Sequence, residues 1–166
     1  MSIKDSLLPE FDHEMATTRR VIERVPDADL AWKPHDKSMS LGQLAGHVGN
    51  MPAWCSLTLE GNVLEIEKAM ADPRLTRPES RMEMLQQFDA QLAEARAKLA
   101  AQTDPALLAP WTFKKNGQEI FTMPRISALR SFVMNHMIHH RGQLSVYLRL
   151  RNVPVPPIYG PSADEQ

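Results

Sequence analysis

The sequence predicts an all-α fold: a four-helix bundle with long crossover connections, forming one domain over residues 1–166. Three observations carry that expectation. Four segments repeat apolar residues at three- and four-residue steps, the period of a helix with one buried face. The chain has 166 residues, enough for one domain to bury a sizeable core. No internal repeat and no second-domain linker interrupts it.

The first helix is expected over 5–25, with Leu8, Phe11, Met15, Ile22 and Val25 on one stripe and Pro26-Asp27 as its stop. His13 lies off that stripe and reads as a solvated surface residue. The second is expected over 40–61. Ser40 and Gln43 have the spacing of a capping box, in which each side chain satisfies the other's backbone N–H. Leu44, His47, Met51, Trp54 and Thr58 share its inner face, and Gly61 is placed as a left-handed residue just past its end. Pro52 cannot donate to the carbonyl of Val48, so a kink or break is expected one turn after His47.

A long connection follows over 62–77, with room for a short helical piece at 63–70. The third helix is expected over 78–102, opening on Pro78 as a first-turn proline. Its buried stripe is Met82, Leu85, Phe88, Leu92, Ala95 and Leu99. In the next connection, Asn116-Gly117 between short apolar runs fits either a small hairpin or a bare loop. The fourth helix is expected over 124–151, starting at Pro124, with Asn152 in the left-handed position beyond its end. The proline-rich tail after it must be extended. Short loops suffice for an up-and-down bundle, so the long connections imply at least one crossover.

Composition narrows the function. Nineteen basic and twenty acidic residues leave a net charge of −1, with no polybasic stripe, so nucleic acid is not an expected partner. No run approaches the roughly 18–20 apolar residues of a membrane span. The N-terminal MSIKDSLLPEF carries charges where a signal peptide needs apolar residues. The single cysteine, Cys55, excludes an internal disulfide and suits a reducing compartment. A cytoplasmic protein is the expectation.

The informative stretch is NHMIHHRGQLSVY, residues 135–147. At 100° per residue, His136 and His140 fall about 40° apart on the helical wheel, amid Leu129, Val133, Met137, Leu144 and Tyr147. Side chains at i and i+4 have Cβ atoms roughly 5–6 Å apart, so both imidazoles can reach one divalent ion at about 2.0–2.1 Å. His139 faces a flank; the pair His136 with His139 is a second geometric option. His47, on the core side of the second helix, supplies a third nitrogen. Three buried imidazoles are costly as isolated polar groups, and convergence on a cation satisfies them together. Three protein ligands leave a position open, as in catalytic sites. Asn135 and Met137 flank His136, so the HExxH pattern of zinc proteases is missing.

These residues resemble the DinB-like superfamily of metal-binding four-helix bundles, which also includes YfiT-like metal-dependent hydrolases. The matching stretches are LAWKPHDKSMSLGQLAGHVGNM (30–51), NHMIHHRGQLSVYLR (135–149) and the proline-rich exit VPVPPIYGPSADE. The resemblance implies the ligand set His47, His136 and His140, a zinc or nickel ion, a homodimer, and helix connectivity other than up-and-down. It also implies chemistry on low-molecular-weight thiols, since characterised relatives are bacillithiol or glutathione transferases and a mycothiol-dependent isomerase.

The expected function is therefore that of a divalent-metal-dependent, thiol-dependent S-transferase acting on a small-molecule substrate. A metal-dependent hydrolase and a non-catalytic, metal-stabilised bundle that binds a small ligand are the alternatives. Gln143 and Tyr147 beside the ligands, and Trp54 on the second helix, are candidate pocket or supporting residues. Arg141 reads as a salt-bridge or interface residue. Met134 and Ile138, apolar and off the core stripe, agree with a dimer.

Overall fold

The computed structural model describes residues 2–165. Helix α1 spans Ile3–Ile22. Its stripe is Leu7, Phe11, Met15 and Ile22, continued by Val25 beyond the helix end; Leu8 is only half-buried, because the stripe centres on its neighbour. His13 is exposed, as expected. The expected second helix is two helices, α2 (Leu41–Gly49) and α3 (Met51–Glu60), separated at Asn50. The break sits where Pro52 removes a donor. The capping box forms: Ser40 Oγ accepts from the Gln43 N–H at 3.2 Å, and Gln43 Oε1 accepts from the Ser40 N–H at 2.8 Å.

Gly61 is not left-handed. Its φ is −150°, and the chain runs straight on into strand β1 (Val63–Glu65). Only Ile66–Met70, helix α4, is helical in the stretch expected to be one short helix. Helix α5 spans Arg81–Ala100. Its cap is Ser80, whose side chain accepts from the Glu83 N–H, so Pro78 lies before the helix rather than in its first turn. Phe88, Ala95 and Leu99 are buried as expected. Met82 is 65% exposed and Met84 takes the core position, because Met84 stands one turn before Phe88 on the buried face whereas Met82 is rotated away from it.

The all-α expectation needs correcting. After helix α6 (Asp104–Leu108), strands β2 (Pro110–Lys115) and β3 (Gln118–Pro124) form a hairpin. Asn116 and Gly117 turn it with φ of +51° and +73°, the left-handed pair that a two-residue turn favours. Strand β1 adds in parallel to β2, pairing Val63 with Thr112. The protein is thus mainly helical with a three-stranded sheet of order β1-β2-β3. The sheet lays Trp111 and Phe113 against Phe132, at ring-centroid distances of 6.0 and 5.3 Å.

The expected fourth helix forms as one uninterrupted helical run, but with a π-helical middle. Helix α7 (Arg125–Ala128) passes into a π-helical segment, Leu129–Asn135, and then helix α8 (His136–Leu150). The wider π turn buries both Val133 and Met134. Met134 therefore belongs to the chain's own core and is no sign of an interface. Asn152 does take the left-handed position, with φ of +57°.

Helix α1 packs on α2, α5 and α8, and α2–α3 packs on α5 and on the π segment and α8. The successive helices α5 and α8 sit on opposite sides of the bundle, so the connection carrying the hairpin crosses it. No helix of the described residues is long and apolar enough to cross a membrane.

Arg141, 1% exposed, enters the core and pairs with Glu14 at 2.7 Å. It also donates to the Glu14 carbonyl, Thr18 Oγ1 and the Tyr159 hydroxyl, and Tyr159 O–H donates to the Glu14 carboxylate. Arg141 is thus an intramolecular salt-bridge residue. Removing one member of a buried ion pair leaves the other uncompensated, which costs about 3–5 kcal/mol. Glu14→Ala is expected to lower stability by that amount in urea unfolding, with Tyr159→Phe losing about 1 kcal/mol. A loss below about 1 kcal/mol for Glu14→Ala would contradict this account.

Candidate metal centre

Three histidines from two helices converge. His47 stands at the end of α2, one turn before the break; His136 and His140 stand one turn apart at the start of α8. All three are half-buried, and each offers a ring nitrogen within 4.8 Å of the others. His47 Nε2 lies 3.3 Å from His136 Nε2, and His140 Nε2 lies 2.9 Å from it. His139 is exposed and outside the cluster, so the structure does not favour the alternative pair.

The far sides of two rings settle which nitrogens carry hydrogen. His136 Nδ1 faces the Phe132 carbonyl at 3.2 Å. His140 Nδ1 faces Gln143 Oε1 at 2.7 Å. The Phe132 carbonyl can only accept, so His136 Nδ1 donates, and Gln143, with its Oε1 turned to the ring, accepts from His140 Nδ1 in the same way. In the neutral rings both Nε2 atoms then carry lone pairs, pointed at one another. Burial pushes His47 down to about 4, with the charges of His140 and His136 adding to it. Burial also lowers His140, against its hydrogen bond to Gln143. Three nitrogens around one tetrahedral ion at about 2.0–2.1 Å stand roughly 3.3 Å apart. The observed spacing fits a divalent cation, and three imidazoles are a donor set for one.

The other candidates divide. Gln143 holds the His140 ring from the far side, the support usual for a ligating histidine. Trp54 is buried and lines a cleft of about 330 Å³ together with His47, Gln43, Asn50, Leu75 and Arg77. Tyr147 is not brought to the cluster: its hydroxyl donates to the Met39 carbonyl and its ring meets Trp32 edge-on. Cys55 is buried, and its thiol is pushed up to about 12, which leaves it protonated and inert. A cavity of about 510 Å³ between Glu60, Leu64, Lys68 and Arg74 lies apart from the histidines. Its charges are already matched, Arg74 binding Glu60 and Asp72.

Three contributors had no signal in the sequence. Phe132 acts through its backbone carbonyl. Asn50 reaches the cleft because the helix breaks there, and Arg77 because its connection folds back over α2.

The depressed His47 makes the metal-free fold acid-sensitive. The unfolded chain takes up a proton at His47 below about 6.5, whereas the folded chain does not until about 4. This contribution to stability is complete above pH 6.5 and declines as pH falls through that window. Urea midpoints of chelator-treated protein are expected to fall between pH 6.5 and 4, and His47→Gln to flatten that part of the profile. An identical profile for the variant would refute this.

The comparisons agree with the fold. A Bacillus subtilis (strain 168) protein, YrdA, described only as uncharacterized, is 27% identical over 165 residues, covering 97% of this chain and 90% of its own. The crystal structure of the DinB-like protein YjoA from Bacillus subtilis superposes with a TM-score of 0.72 at 18% identity, covering 93% of this chain and 97% of its own. A DinB-like protein from Bacillus cereus ATCC 10987 gives 0.70 at 22% identity, covering 95% and 98%. The family model described as the DinB family matches residues 1–166; the chain belongs to the DinB family.

Proposed function

We propose that this protein is a divalent-metal-dependent enzyme that joins a low-molecular-weight thiol to a small electrophile. The observation that carries the reading is the pair of lone-pair-bearing Nε2 atoms of His136 and His140, 2.9 Å apart with His47 beside them. His47, His136 and His140 would hold a zinc or nickel ion. Such an ion, when bound, supplies Lewis acidity that favours a thiolate over a thiol at neutral pH.

The chain's own residues do the rest. Phe132 and Gln143 hold two of the imidazoles in their ligating tautomers. Trp54, Met70 and Leu75 form an apolar wall of the cleft, which excludes water from one side of a bound molecule. The thiol yields its proton to solvent, its sulfur bonds to the electrophilic carbon, and the leaving group departs with the bonding electrons. This chemistry needs no carboxylate base, and no Asp or Glu lines the cleft. Hydrolysis by an activated water ordinarily uses such a base, so the hydrolase is the second reading. In this reading the protein works in the cytoplasm as a homodimer.

Metal content measured on untagged protein tests the first step. His136→Ala and His140→Ala are expected to lose the metal, and His139→Ala to keep it. Gln143→Ala is expected to weaken metal affinity about 10- to 100-fold, the usual effect of removing a supporting partner. Full occupancy in His140→Ala would overturn the ligand set. Turnover is tested with bacillithiol, mycothiol, glutathione and cysteine against an electrophile, with chelation and re-addition of zinc or nickel. If every thiol is inert with metal bound, the transferase reading fails. Ester or amide turnover would then favour the hydrolase.

A further inference from the structure

Arg77 differs from the other arginines of this chain. Among the described residues every other arginine donates to a protein acceptor: Arg74 to Glu60 and Asp72, Arg130 to Glu10, and buried Arg125 to the carbonyls of Ala106 and Gly61. Arg77 is exposed and makes no hydrogen bond or ion pair with any described residue. It lines the cleft that starts at His47, where it is the only Lys, Arg, Asp or Glu. Glu79 borders the adjoining cavity on the other side of Arg77 and forms no ion pair with it.

The placement has a structural cause. A Cβ built on Gly46 would stand 3.3 Å from Pro78 Cδ. The bare glycine lets the segment carrying Arg77 lie against the turn of α2 that carries His47. The cleft therefore has the His47 imidazole at one boundary, the side chains of Trp54, Met70 and Leu75 along its wall, and an unmatched guanidinium at another. Its volume of about 330 Å³ is at the low end for small-molecule sites. A planar guanidinium matches a carboxylate bidentately.

We propose that this cleft selects small molecules bearing a carboxylate, and that Arg77 is the residue that binds the carboxylate. The carbon chain lies along Trp54, Met70 and Leu75, with the opposite end toward the histidines. The inference deepens the proposed function by naming a substrate class. It rests on the three-histidine reading only for what meets that opposite end.

Two matched probe pairs test it: 3-mercaptopropionate against its amide, and 3-phenylpropionate against its amide. Each is titrated into zinc-loaded and into chelator-treated protein, and binding is followed by the indole N–H resonance of Trp54. In the wild-type protein the acids are expected to bind at least about 10-fold more tightly than the amides, the effect of roughly 1.4 kcal/mol from a charge-assisted contact. In Arg77→Gln the preference is expected to fall within about 2-fold, with unchanged zinc content and melting temperature. Tighter binding of the mercapto acid on zinc loading would assign the carboxylate to the thiol partner; no change would assign it to the electrophile. Equal binding of acid and amide by wild type, a preference that survives in Arg77→Gln, or no response to any probe would overturn the proposal. Zinc content is measured in parallel. A wild-type protein without zinc that still prefers the acids sinks the three-histidine reading alone, and a zinc-bound protein without preference sinks this one alone.

Discussion

The ion pair of Arg141 with Glu14 is the contact on which the orientation of α8 depends. Both side chains are almost wholly buried, and a charge in that setting tolerates no other arrangement without losing its partner. Arg141 follows His140 directly. Locking its guanidinium between Glu14, Thr18 and Tyr159 fixes the rotation of α8 about its own axis, and with it the direction of His136 and His140. Tyr159 lies in the irregular tail, so the network also draws that segment onto the bundle. Ion pairs of Asp164 with Arg149 and of Glu165 with Arg24 extend the same fastening at the surface, where each is worth little alone.

The sheet acts on the same histidines from the other end. Trp111, Phe113 and Phe121 form an aromatic layer that meets Phe132 in the π segment. Trp54 meets Phe132 edge-on from α3, with ring centroids 5.7 Å apart. Phe132 is thus held by two layers, and its carbonyl holds the His136 ring. A π turn is uncommon and often marks a functional position; here it lies immediately before the first histidine of α8. Arg125 joins the sheet to the helices through carbonyls at Ala106 and Gly61, and burial lowers its affinity for a proton.

The helix break at Asn50 opens the third side. A continuous helix through Pro52 would carry an unmatched carbonyl at Val48. By ending α2 and restarting α3, the chain leaves Asn50 and Trp54 on the wall of the cleft beside His47. The cleft so formed has the half-buried His47 imidazole at one boundary, an apolar wall and no carboxylate in its lining.

The sequence by itself determined the helical periodicities, the Ser40–Gln43 cap, the interruption forced by Pro52, the Asn116-Gly117 turn and the left-handed Asn152. These depend on residues a few positions apart, whose sterics and hydrogen bonds act locally. It also determined that His136 and His140 share a face, because one helical turn relates them. Only the tertiary structure decided what depends on distant partners. Strand β1 exists because β2 offers it an edge, and nothing in its three residues encodes that pairing. Met134 is buried because aromatic packing sustains a π turn that a regular wheel does not contain. Tyr147 turns to Met39 and Trp32 although it lies on the histidine side of the wheel. Arg77 lines the cleft at His47 because Pro78 packs on Gly46. Such contacts join segments far apart in sequence, and their free energy is gained only when both surfaces are present.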